Sequence, residues 1–171
     1  FDAETLTRQI YRDGQLIAED TARNYCTSFD DQFLGRSTET GAECAGAMDE
    51  LRVWKRVLTE TEIHNNRFRM MTGTEVDLVT YFRFDEWLGF DGNYHHWLEL
   101  TSGTYRYDTG YKMLLIEQPL IFAPPAPREQ CIEFGHNPSA SMNQRPHARL
   151  GPHYDLKQRS FTIEFWAQRY D

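Results

Sequence analysis

Positive charge is scarce in this sequence: 18 Lys and Arg face 26 Asp and Glu among 171 residues, a formal net charge of −8. Nucleic-acid binders present a basic footprint to the phosphate backbone, so no nucleic-acid partner is expected. Long apolar runs are also missing. None approaches the roughly 20 residues that cross a bilayer as a helix, and the opening FDAETLTRQI has neither the basic nor the apolar region of a signal peptide. Direct membrane insertion is therefore not expected. Only three cysteines occur, Cys26, Cys44 and Cys131. Their spacing makes no zinc cage and their number no dense disulfide framework. Cys26 and Cys44 either close one hairpin in an oxidising compartment or stay, with Cys131, as buried thiols.

Other chemistries are excluded by spacing. The histidines, His64, His95, His96, His136, His147 and His153, offer no helical i, i+4 pair and no close Cys–His set, so they read as solvated loop residues. GRSTETG lacks the lysine of a phosphate-binding loop. The paired-carboxylate strand signature E-x-D-x-x-E of glycoside-cleaving sandwiches is absent, because Glu75-Val76-Asp77 is followed by Thr80 where a second glutamate would stand. No enzymatic activity is expected.

What is present is strand signal. In RQIYRDGQLIAED two short runs flank Asp13-Gly14, a tight hairpin turn. DQFLGRS at 31–37 and MDELRVW at 48–54 are further strands, and LVTYFRFDE at 78–86 reads as a buried one, rich in aromatic and β-branched residues. One helix is predicted. Thr59, Glu60, Thr61 and Glu62 form a capping box, and a helix over about 60–69 follows, ended by Thr72-Gly73. From Trp87 the pattern turns irregular, with scattered glycines and the cluster APPAP at 123–127, so a linker is placed at 108–127. Beyond it CIEFG at 131–135 and SFTIEFW at 160–166 are again strands.

Five of these blocks resemble one family, the laminin-G-like domains of the concanavalin A-like lectin and glucanase superfamily: IYRDGQLI, AMDELRVWKRVLTETEI, LVTYFRFDE, CIEFG and SFTIEFW. The resemblance implies an all-β fold, an antiparallel jelly-roll β-sandwich with one short helix. In a whole domain of that family the CIEFG and SFTIEFW types come first and the others last; here the order is reversed. Residues 1–107 then form the C-terminal part of one jelly roll and 128–171 open the next in a tandem array, or the chain is one circularly permuted sandwich. Starting on Phe1 and stopping in mid-strand, it reads as a piece of a longer protein. Extracellular or cell-surface placement follows by family analogy.

Strand alternation separates two faces. Asp49, Leu51 and Val53 point one way in MDELRVW, and Glu50, Arg52 and Trp54 the other. In SFTIEFW, Phe161, Ile163 and Phe165 are expected in the core, with Thr162, Glu164 and Trp166 turned away; Tyr81 and Arg83 lie opposite Thr80, Phe82 and Phe84. A face of Glu50, Arg52, Trp54, Tyr81, Arg83, Glu164 and Trp166 suits a sugar, whose flat ring stacks on aromatics while charged groups bond its hydroxyls. Cross-strand ion pairs and cation–π contacts explain the same residues without a ligand. The resemblance also implies a structural calcium, with Asp49 supplying one of the six to eight oxygens such an ion takes; alternatively Asp49 bonds backbone at a strand start. The expected work is adhesion or recognition of a glycan or protein ligand, which would expose Trp54, Tyr81 and Trp166. A structural repeat packed against neighbouring domains would bury them, and the ring-rich WLGFDGNYHHWLEL at 87–100 favours that second reading.

Overall fold

In the computed structural model the residues described are 1–25, 33–35, 46–85, 87–90, 95–99, 101, 104–108, 113–116, 131–134, 148–149 and 156–169. They form an all-β, antiparallel architecture with one short helix. Cys26, Cys44, His136, His147 and His153 lie outside them.

Asp13 and Gly14 sit at φ +53° and +75°. A two-residue turn with both φ positive matches the right-handed twist of its flanking strands, and it joins β1 (Thr7–Arg12) to β2 (Gln15–Thr21) as expected. Arg8 and Asp20 face each other across this hairpin and form an ion pair. The block expected at 31–37 contributes β3 (Phe33–Leu34), which pairs with β11 (Ala148–Arg149).

The organising element is β4 (Gly46–Trp54), buried at every position. One edge of it pairs with β12 (Thr162–Arg169), from Thr162↔Trp54 to Arg169↔Gly46. Its other edge is shared: Leu51 to Trp54 pair with β5 (Leu78–Phe82), and Gly46 to Met48 with β10 (Cys131–Phe134). The blocks at 131–135 and 160–166 thus lie in the same sheet as the MDELRVW block. Within 108–127, read from sequence as a linker, Met113–Ile116 forms β9 and pairs with β10. The stretch read as irregular from Trp87 likewise holds a three-stranded meander, β6 (Trp87–Phe90), β7 (His95–Glu99) and β8 (Thr104–Asp108).

The helix α1 (Glu60–Asn66) starts where the capping box places it, with the Glu62 amide donating to Thr59 Oγ1 at 3.2 Å and the Thr59 amide to Glu62 Oε2 at 2.8 Å. It ends three residues before the predicted Arg69. The amides of Phe68 and Arg69 tighten onto carbonyls three residues back, Asn65 O and Asn66 O, and the Arg52 guanidinium takes the carbonyls of Asn66 and Arg69 from below. With those acceptors satisfied from outside, the helix has no reason to continue. A core of Trp54, Leu58, Met71, Leu78 and Tyr81 with Ile63 fastens α1 and its flanking loops onto the sheet.

Candidate ligand-binding cleft

The sequence predicts strict alternation along β4, and β4 departs from it once. Glu50 and Leu51 together stand opposite the single Phe165, a bulge in which Glu50 takes φ +54°. A non-glycine residue in the left-handed region is strained by about 1–3 kcal/mol and persists only where its surroundings hold it. Here they do. Glu50 pairs with Arg52, two residues on, and its Oε2 accepts the Tyr81 hydroxyl at 2.8 Å. Arg52 donates to Asn66 O at 2.7 Å and Arg69 O at 2.8 Å, and its charge lies 5.4 Å from the Tyr81 ring centre.

Glu164 repeats the arrangement from β12. Its Oε2 accepts the Trp54 indole N–H at 2.8 Å, and the Asn66 amide reaches both carboxylate oxygens at 3.3 and 3.4 Å. Burial pushes the Glu164 carboxyl above the usual carboxylate range, against the lowering effect of the Trp54 hydrogen bond. Burial, reinforced by the neighbouring Glu50 charge, also raises the Tyr81 hydroxyl.

These contacts close the face that the sequence suggested for sugar stacking. Trp54 and Tyr81 are 3% and 0% exposed, covered by α1 and the segments beside it, and a ring so placed cannot stack on a sugar. The faces of β12 are also exchanged relative to expectation. Ile163 and Phe165, expected in the core, are 45% and 50% exposed, whereas Glu164 and Trp166 turn toward the helix side, Trp166 with its ring 6.5 Å from Phe68. Alternation says that two faces differ; which one is covered depends on where α1 docks. Phe161 packs partly covered against Phe1, at 5.6 Å between rings. Arg83 forms an ion pair with Asp85 at 3.1 Å.

Asp49 is fully buried, and its Oδ1 accepts the Glu50 amide at 2.8 Å, the backbone role weighed against calcium binding. Among the described residues no group of three His, Cys, Asp or Glu side chains could hold a metal ion.

Four of the expected site residues, Glu50, Arg52, Glu164 and Trp166, do come together, at a cleft of about 770 Å³. One wall is the hairpin turn, Tyr11 to Gly14. Beside it stand Ile63, Arg67 and Phe68 at the end of α1, and β12 contributes Ile163 to Ala167. Gly14 allows the turn to approach: a Cβ there would lie 2.7 Å from Arg67 Nε and 3.2 Å from the His64 Cα. Arg67 is held by His64 O at 3.2 Å and lies over the Phe68 ring at 4.7 Å. Sequence reasoning missed Tyr11, Arg12, Arg67 and Phe68. The available signals were the turn, which follows directly on Arg12, and the Arg67-Phe68 pair just past the end of the helix.

Two carboxylates in a cleft suggest acid–base work. Both accept hydrogen bonds from protein donors, and Glu50 is 2% exposed.

Residues 1–64 match the family model described as the concanavalin A-like lectin/glucanases superfamily. Over these residues the chain is similar to laminin-G-like domains. Comparison with curated proteins and with solved structures gives no match. The matched stretch holds the β1–β2 hairpin, β4 and most of α1, three of the elements that shape the cleft. Laminin-G-like domains serve in general as carbohydrate- or protein-binding modules, are typically not enzymes, and are usually extracellular. No helix among the described residues is long and apolar enough to cross a membrane.

Proposed function

We propose that this laminin-G-like domain is a non-catalytic recognition module of a large extracellular or cell-surface protein, and that its ligand, a glycan or a protein receptor, is held in the cleft between the β1–β2 turn, the end of α1 and β12. The observation that carries this reading is the convergence there of Arg12, Arg67, Phe68 and Trp166, two cations and two rings from three separate elements. The sheet face around Trp54 and Tyr81 supports the fold instead. Adhesion and carbohydrate binding are both served by such a cleft.

The test is binding of the folded chain to an oligosaccharide array and to cell surfaces, repeated with Arg12→Glu and Trp166→Ala. Loss of binding with an unchanged far-ultraviolet spectrum supports the cleft; undiminished binding by both variants refutes it. A second reading, a structural repeat packed against neighbouring domains, is favoured by the exposed Ile163 and Phe165 and by Val76, 81% exposed. Sedimentation of longer pieces of the parent protein separates the two, because a packing surface adds buried area between neighbours and a ligand cleft does not.

A further inference from the structure

The cleft has an unusual lining. Five consecutive residues of β12, Ile163 to Ala167, border it. Successive side chains of a strand point to opposite faces, so a cavity that meets five in a row looks at the strand from its edge. The edge of β12 facing β4 is hydrogen-bonded along its length, and among the described residues no strand pairs with its other edge. A free edge presents a row of unpaired N–H and C=O groups, which proteins ordinarily cover. Here the hairpin turn and the end of α1 flank it without pairing to it.

We infer that the cleft takes an extended peptide of a protein partner, added as a further strand to the open edge of β12, with acidic side chains toward Arg12 and Arg67. This rests on the cleft being the recognition site and names the class of ligand. Size supports it. A strand residue packed in a sheet occupies about 160 Å³, from a rise of about 3.3 Å, a strand spacing of about 4.8 Å and a layer spacing of about 10 Å. The cleft of about 770 Å³ then holds about five residues, the length of β12 that borders it.

Charge decides the partner's chemistry. Glu50 is neutralised by Arg52, and both oxygens of Glu164 are taken by Trp54 and Asn66. Among the described residues Arg67 has only His64 and the Phe68 ring as partners, and Arg12 makes no ion pair. The other charges of the lining are the Arg52–Glu50 pair, the exposed Asp13, and Glu164, which turns its oxygens to the neutral donors Trp54 and Asn66; Arg12 and Arg67 are the cations left for a ligand's carboxylates. Main-chain pairing supplies the affinity in such strand addition, and the side chains set the specificity.

The probe is an end-blocked heptapeptide of alternating valine and glutamate, titrated to millimolar concentration into the folded chain and followed by amide NMR. Saturable shifts are expected at residues 163–167, with alternate amides there slowed in hydrogen exchange. N-methylating alternate peptide residues removes the pairing donors and is expected to weaken binding at least tenfold. Arg12→Glu is expected to weaken it about three- to tenfold while leaving the domain folded. An N-methylated peptide that binds as well as the parent overturns strand addition, as does a peptide that moves no amide of β12. If an oligosaccharide shifts those amides and the peptide does not, strand addition fails and the cleft reading stands; if ligands bind with no change at β12, Arg12 or Arg67, both fail.

Discussion

Replacing Arg52 with methionine tests whether its buried charge is scaffolding. Arg52 and Glu50 have side chains 3% and 2% exposed, and Arg52 also holds the carbonyls that end α1. Arg52→Met therefore strands a carboxylate in the core and leaves two carbonyls without that donor. Breaking one partner of a buried ion pair costs about 3–5 kcal/mol. Some of that loss is offset, because Arg52 Nε has no hydrogen-bond partner and methionine removes its desolvation. Glu50→Gln keeps the shape and the Tyr81 contact but loses the charge, for about 1.5–3 kcal/mol. Since both remove the same pair, the double variant should cost less than the sum by about 1–3 kcal/mol. Urea unfolding of the four proteins, followed by tryptophan fluorescence, gives the cycle. A domain of this size has about 5–15 kcal/mol of stability, so each step is measurable. A cost below about 1 kcal/mol for Arg52→Met, or strict additivity, would refute the scaffold role.

Three other outcomes are expected. Thr59→Ala removes the N-cap and should lower stability by about 0.5–2 kcal/mol in the same assay. Gly46→Ala places a Cβ 2.1 Å from the Gln168 carbonyl oxygen; because that atom is backbone, the β4–β12 ladder must shift, at about 1–3 kcal/mol, read as faster amide exchange in 166–169. The two buttressing glutamates should respond to pH with opposite signs. Arg56 and Thr59 hold the Glu62 carboxyl at about 2, below its ordinary 4.5, so its contribution is complete above about pH 4.5 and disappears as pH falls through about 2. With the side chain 38% exposed, screening leaves that contribution at about 1 kcal/mol. The Glu164 carboxyl is raised by burial, so its contribution is complete below about pH 4.5 and is lost as pH rises through its folded value. Glu164→Gln should flatten that upper limb of the urea midpoint against pH, and Glu62→Gln the lower.

How the two parts of the chain depend on one another is also testable. Because β12 and β10 complete the sheet around β4, we expect residues 1–107 alone to lack a cooperative thermal transition and to regain one when 128–171 is added. Cooperative unfolding of 1–107 by itself would show that the shared sheet is not needed.

Local chemistry was legible wherever a few adjacent residues suffice. Asp13-Gly14 demanded positive φ and produced the hairpin; Thr59 and Glu62 satisfied each other's backbone donors and started the helix; the β-branched and aromatic run at 78–82 became a strand. The similarity of the first 64 residues to laminin-G-like domains was readable for the same reason, since it resides in short contiguous blocks. The helix end was not, because Arg52, fourteen residues before Asn66, supplies the stop. Nor was the bulge at Glu50, which follows from a register set by β12 more than a hundred residues away.

By itself the sequence determined the elements, their caps and turns, and the division of each strand into two chemically different faces. Only the tertiary structure decided which face is covered. The alternation of Glu50, Arg52, Trp54 and Glu164 reads equally well as an open binding surface or a buried network, and the docking of α1 made it the second. The same docking, with Arg67 and Phe68 set against the hairpin turn, opened the cleft along β12. Alternation is a property of one strand's backbone geometry, whereas burial and a cleft are properties of what packs beside it, and that depends on contacts between residues far apart in the chain.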